Sequence, residues 1–345
     1  MKAYTSRAWV ALGIGLSLIA FGTRPTTVRA DSSPAFSGQA TVLRVTPLSA
    51  TLPLAGTLVL GDTGPLPQSG GAQEASLLDL SVPGLVSAEV VHASTIGQGD
   101  RSRSEASVAD VAITAGGNTI AADFLMARAM ATCGPGGAST SGSSEIARLV
   151  INGQAIDVAG TPNQTVQLPL GVGKVVINEQ SSSGPGDITV NALHVVVNGV
   201  ADVVVSSAHA DITCAPTPPP CSGSDFVTGG GWIASLSDPA AKANFAVAGG
   251  IKNGAFWGHL MYVDHGSNGP RVKGTGVTAY SAVDPTTRDI RGPAEINGQP
   301  GTYESDVSDN GEPGRNDVFV LKLSNGYSHG DKLAGGNIQL HKPCQ

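Results

Sequence analysis

Apolar and polar positions alternate with a period of two along most of this chain, in short runs bounded by glycine, proline, asparagine and serine. That period belongs to strands with one buried face, and patterns of helical period are nearly absent. In the first half it predicts strands over residues 36–46, 51–60, 77–82, 86–96, 102–114 and 119–131. Two hairpins follow, 145–151 with 154–158 and 188–197 with 200–212, turning at Asn152-Gly153 and Asn198-Gly199. Asn-Gly supplies the positive φ angles of a tight type I′ turn. The stretches 134–142 and 181–186 are rich in Gly, Ser and Pro and read as loops. In the second half strands are predicted over 226–233, 244–252, 255–263, 271–283, 288–296, 302–307, 318–323 and 336–341. Asn253-Gly254, Asn297-Gly298 and Asn325-Gly326 fit tight turns between them.

The two halves meet at Cys214-Ala-Pro-Thr-Pro-Pro-Pro-Cys221, whose prolines fit neither sheet nor helix. The chain therefore divides into a β-sandwich-like module over 31–214, a proline-rich linker over 215–220 and a small barrel or sandwich over 221–345. The fold class expected is all-β. Few contacts are expected to cross the linker. After residue 30 the first module has two aromatic residues, Phe36 and Phe124, so Val, Ile, Leu and Ala must pack its core; the second has ten.

Residues 1–30 carry Lys2 and Arg7, an apolar run over 8–21 and a small-x-small site at Val28-Arg29-Ala30, the pattern of a signal peptide. Its removal takes away Lys2, Arg7, Arg24 and Arg29 and no acid, moving the net charge from −7 to −11. Such a surface repels phosphate backbones, which argues against nucleic acid as a partner. No further apolar run is long enough to span a membrane as a helix. Four cysteines behind an export signal imply disulfides. Three pairings exist, and Cys133–Cys214 with Cys221–Cys344 keeps each bridge within one module.

Several stretches resemble known exported proteins. Ala35-Phe-Ser-Gly-Gln-Ala40, Val190-Asn-Ala-Leu-His-Val195 and Ser207-Ala-His-Ala-Asp-Ile-Thr-Cys214 resemble the choice-of-anchor P family of bacteria. Asp225-Phe-Val-Thr-Gly-Gly-Gly-Trp-Ile233, Val263-Asp-His-Gly266, Asp309-Asn-Gly-Glu-Pro-Gly314 and Gly335-Gly-Asn-Ile-Gln-Leu-His341 resemble the post-COAP domain that often follows it. The resemblance implies a secreted or surface-displayed β protein and supplies no catalytic residues. The chain ends Lys342-Pro-Cys-Gln345, without a sorting motif, so free secretion is the simpler expectation.

Residues 306–317 have the spacing of a twelve-residue calcium loop. Asp306, Ser308 and Asn310 stand at positions 1, 3 and 5, Gly311 at 6, Glu312 at 7 for a backbone carbonyl, and Asp317 at 12. Ser at position 3 and Asp at 12 depart from the pattern; the alternative is an ordinary strand connection. Calcium is the one cofactor suggested. His259 and His265, with Asp264, lie too far apart on one strand to share an ion, and His194 and His209 are candidate cross-strand neighbours. Trp232, Trp257, Tyr262 or Tyr280 could stack on a sugar, while a core role is the simpler account. No Gly-x-Ser-x-Gly or His-Glu-x-x-His occurs, and Gly229-Gly-Gly231 lacks the lysine and helix of a phosphate loop. The expectation is a secreted, non-enzymatic structural or interaction protein with an extracellular protein or glycan as partner. A carbohydrate-binding module and a hydrolase without a recognisable motif are the alternatives.

Overall fold

A computed structural model describes residues 33–49, 54–215, 224–252 and 254–342. The signal-peptide segment, most of the proline run, Asn253, and both members of the expected Cys221–Cys344 bridge lie outside the described residues. The protein is all-β, and the described residues hold no α-helix.

The first half contains thirteen strands in chain order: β1 (Ala35–Pro47), β2 (Leu58–Asp62), β3 (Gly71–Val82), β4 (Val86–Gln98), β5 (Arg101–Ala115), β6 (Asn118–Gly134), β7 (Gly137–Ala147), β8 (Val150–Ile151), β9 (Gln154–Ala155), β10 (Gln164–Gln167), β11 (Gly173–Ser181), β12 (Asp187–Val197) and β13 (Ala201–Thr213). They form two antiparallel sheets. Sheet A runs β10-β11-β12-β13-β1-β2; sheet B runs β3-β4-β5-β6-β8-β9, with β7 also paired to β6. The second half adds β14 (Phe226–Ala234), β15 (Lys242–Lys252), β16 (Ala255–Asp264), β17 (Arg271–Gly274), β18 (Ala279–Ala282), β19 (Thr287–Ile296), β20 (Gln299–Ser308), β21 (Val318–Leu323), β22 (Ser328–Lys332) and β23 (Gly335–His341). These make one ten-stranded sheet C, ordered β22-β21-β20-β19-β17-β16-β15-β14-β23, with β18 on β19.

Sheets A and B enclose a core of small aliphatic side chains, including Val42, Val108, Leu125, Val190 and Val205. Sheet C curls around its own core, where Phe245 stacks on Phe319 at 4.1 Å. A third cluster joins the halves: Val90, Ala109, Phe124 and Met126 of sheet B pack against Ala246, Met261 and Val263 of sheet C. Sheet B is thus a middle layer. Its strands alternate buried and exposed at their ends but are buried on both faces where sheet C covers them, as over residues 90–97 of β4. The expectation of few contacts between the halves is corrected by this seam. The Gly229-Gly-Gly231 run sits in β14 at the same seam, where a Cβ on Gly230 would lie 2.4 Å from Ser107 Oγ. Gly230 lets the two sheets approach backbone to side chain, while Gly229 and Gly231 lie against the backbone of β23 in their own sheet.

The expected Asn-Gly turns are not all of one geometry. Asn152-Gly153 and Asn297-Gly298 have both residues at positive φ, as a type I′ turn requires. At Asn198-Gly199 only the glycine does, and Val197 pairs with Ala201 across a three-residue loop. The range 134–142 read as a loop is largely β7, and 271–283 is two strands, β17 and β18.

Candidate functional site

The strongest concentration of unmatched polar groups lines a cleft of about 510 Å³ beside the seam. Its floor is one face of sheet B. Alternate residues of β5 point the same way, so Arg101, Arg103 and Glu105 form a row. The register sets Arg101 opposite Thr132, Arg103 opposite Met130, and Glu105 opposite Arg128 on β6. Strand β7 continues two of these rows with Ser141 and Ser143. Glu312, Pro313 and Gln339 of the second half form the facing wall.

Glu105 is 6% exposed. Burial pushes its carboxyl up to about 8; Arg128 pulls it down, and the nearby Glu312 and Glu145 push it up again. At neutral pH it is largely protonated. Around it Nε of Arg101, of Arg103 and of Arg128, with one terminal nitrogen of Arg128, are buried and make no hydrogen bond. The ion pairs present are long: Arg128 to Glu145 at 3.5 Å and to Glu312 at 3.8 Å, and Arg101 to Asp100 at 3.5 Å. Buried donors without acceptors are uncommon in proteins and cost free energy. The cleft is therefore locally positive in an acidic chain and offers guanidinium groups to an oxygen-rich anion.

The five residues of the 306–317 spacing do not converge. Asp306 faces Asp289 across the β19–β20 ladder, beside Glu304 of its own strand, with Lys322 at 3.7 Å. Ser308 bonds the Thr287 hydroxyl. Asn310 Nδ2 donates to the Asn316 carbonyl. Glu312 turns to Asn337 and Gln339. Asp317, fully buried, accepts from the backbone N–H of Asn310 and of Ile338, both at 2.8 Å. Burial pushes its carboxyl up to about 7, against the pull of those two N–H groups. Asp309 likewise accepts from Leu340 N–H at 2.8 Å. The acids of this loop cover the open edge of β23, whose other edge pairs with β14.

Trp232 packs tilted against Phe124 across the seam at 4.9 Å, and Trp257 packs on Phe226 at 5.7 Å. Phe256 is the exposed member of the Phe256-Trp257 pair. Tyr262 is buried, and Tyr280 donates to Asp225. None of these lines the arginine cleft. His194 pairs with Glu179 and Asp202, and His209 with Asp187; the register does not make the two histidines neighbours. Cys133 and Cys214 are bonded, tying β6 of sheet B to the end of β13 in sheet A.

Among the described residues two groups could hold a metal ion: Asp289, Glu304 and Asp306, and Glu89, Asp110 and His265. The first is already matched by Arg291 and Lys322. No helix of the described residues is long and apolar enough to cross a membrane.

No family model and no curated protein matches this chain. Among solved structures it is similar to kievitone hydratase from Nectria haematococca, at 8% identity over 89% of this chain and 88% of that chain, with a TM-score of 0.20. That structure is of an enzyme, and the expectation of a non-enzymatic chain is not carried further. A likeness at that TM-score assigns no fold and no reaction. The arginine row escaped the sequence reading because its partners on β6 and β7 are set by register. The alternation Arg101-x-Arg103-x-Glu105 at the start of a strand was its visible trace.

Proposed function

We propose that this is an exported protein that binds a small, carboxylate-bearing, hydroxyl-rich ligand, of the uronic acid class, in the cleft of Arg101, Arg103 and Arg128. The carrying observation is the set of buried guanidinium N–H groups that make no hydrogen bond, two of which meet a carboxylate only in long ion pairs of 3.5 and 3.8 Å. Arg forks match carboxylates in a bidentate manner. Ser141, Ser143 and Gln339 offer partners for sugar hydroxyls. Export is supported by the Cys133–Cys214 disulfide, since such bonds persist in oxidising compartments. The resemblance to exported choice-of-anchor P proteins belongs to the same proposal. Calorimetric titration with D-galacturonate, against galactose as its neutral counterpart, tests it. Saturable binding of the acid alone is expected, weakened about tenfold or more by Arg103→Ala. Equal response to both sugars, or to neither at millimolar concentration, refutes it.

Acid catalysis is a second reading, favoured by the Glu105 carboxyl that keeps its proton near neutral pH at the floor of the cleft. It would protonate the leaving oxygen of a glycosidic bond in a bound uronide while water adds to the anomeric carbon, and the proton that this water loses restores the carboxyl. Release of methanol from a methyl uronide, whose leaving group needs the acid, abolished by Glu105→Gln while galacturonate still binds, is the expected outcome. No release by the wild type removes this reading and leaves binding standing.

A further inference from the structure

A second cleft, of about 450 Å³, opens on the other side of the seam. Glu89 of β4 and Asp110 of β5 come from sheet B, and His265, directly after β16, from the second half. The ladder between β4 and β5 shifts register on both sides of Glu89, and Asp110 has φ 48°. These bulges turn both carboxylates toward the second half. His265 Nε2 lies 3.2 Å from Asp110 Oδ2 and 3.5 Å from Glu89 Oε2. One ligand atom from each residue fits within 4.8 Å of the others.

An independent observation comes from Asn244 of β15, which is wholly buried. Its Nδ2 lies 3.1 Å from Asp110 Oδ2 and 3.2 Å from His265 Nε2. Its Oδ1 has no hydrogen-bond partner, and neither has the buried Oε2 of Glu89. The two ends of an amide exchange by a half-turn. That turn carries the orphaned oxygen to the place now held by the nitrogen, against both Asp110 and His265. Lys242 and Arg148 are engaged by Asp123, each at 2.9 Å; Arg271 pairs with Asp79 and lies 3.7 Å from the other oxygen of Glu89, leaving Oε2 to the ion.

We propose that Glu89, Asp110, His265 and Asn244 bind one divalent transition-metal ion that clamps the first-half sandwich to the curled second-half sheet. Two carboxylates neutralise the charge, the imidazole selects a first-row transition ion over calcium, and the amide oxygen completes a four-donor set. Binding to the folded state alone stabilises it, so the melting temperature rises with metal.

The test uses the full chain, stripped with a chelator and titrated with Zn²⁺ or Mn²⁺ by calorimetry and thermal melting. One saturable site and a rise in melting temperature are expected. Both should vanish in His265→Ala and in the near-isosteric Asp110→Asn, and persist in Asp306→Asn, which alters the other acidic group. Circular dichroism of the metal-free variants separates lost binding from lost folding, and either of the two variants suffices. Absence of saturable binding in the wild type, or binding that His265→Ala and Asp110→Asn leave unchanged, overturns the proposal.

Discussion

The carboxylate of Glu74 on β3 lies 3.2 Å from Nε2 of His259 on β16, an ion pair that crosses the seam with the Glu74 side chain 6% exposed. His92 of β4 stands on the same oxygen at 3.4 Å. Burial alone would raise the carboxyl; bonds from His259 and His92 outweigh it and hold Glu74 at about 2. Burial would lower His259, and its bond to Glu74 raises it above 6.5. A lowered acid contributes stability above its ordinary value near 4.5 that is lost as pH falls toward 2. A raised base contributes stability below 6.5 that is lost as pH climbs through its folded value. The pair is thus strongest at about pH 5–6. Glu74→Gln should cost about 3 kcal/mol there, the usual loss on breaking a buried pair, and less on either side. Urea unfolding across pH checks this; a cost that ignores pH would mean the pair adds nothing.

The bond between Cys133 and Cys214 spans a sequence separation of 81 and joins the two sheets of the sandwich. In the chain-entropy treatment a loop of that length is worth about 4–5 kcal/mol. Cys133→Ala with Cys214→Ala, each side chain being small and partly buried, should lower the urea midpoint by a corresponding amount. A reductant should lower the wild-type midpoint by at least as much, and any further fall it causes in the double variant would report the expected Cys221–Cys344 bridge.

Asp317 gives a prediction that separates a covered strand edge from a calcium site. Asp317→Ala leaves the N–H groups of Asn310 and Ile338 without their acceptor. A buried unsatisfied donor costs about 1–3 kcal/mol, so a loss of about 2–4 kcal/mol is expected, the same with and without millimolar calcium. A loss that appears only when calcium is present would restore the loop as a metal ligand set.

How much of this was legible in the sequence depends on what each strand buries. Strands with an apolar face announced themselves: β1, β5 and β6 lie within two or three residues of their expected bounds. Strand β7 opens Gly-Ala-Ser-Thr-Ser-Gly, within the stretch 134–142 expected as a loop, and β22 reads Ser-His-Gly-Asp-Lys, where no strand is expected. Each adds to one neighbouring strand and is largely solvent-facing, so neither carries an apolar stripe for alternation to reveal. The seam was illegible for another reason. Asp110 and Asn244 meet across 134 positions of sequence, and Glu105 and Asn337 across 232. No local pattern records such pairings. Asp317 shows the converse: its spacing from Asp306 is that of a calcium loop, and the N–H it accepts at Ile338 lies 21 positions on, where no local pattern points.

The last prediction follows from Glu105. Its folded value of about 8, against an ordinary 4.5, arises chiefly from burial. The native chain therefore keeps a proton that the unfolded chain gives up as pH rises past 4.5. Stability from this group is complete below 4.5 and drains as pH climbs to 8, by up to about 5 kcal/mol at 1.36 kcal/mol per unit of difference. Glu105→Gln replaces the protonated carboxyl by a neutral amide of similar shape. It should match the wild type near pH 5 and exceed it at pH 9, the gap between them tracing the titration. The same ionisation places a negative charge among Arg101, Arg103 and Arg128, where it competes with an anionic ligand. Galacturonate binding should therefore weaken through pH 8 in the wild type and stay level in Glu105→Gln. Parallel stability curves for the two proteins would show that Glu105 is ionised throughout; the cleft would then hold a salt-bridged carboxylate, and its arginines would be less available to a ligand than their unpartnered nitrogens indicate.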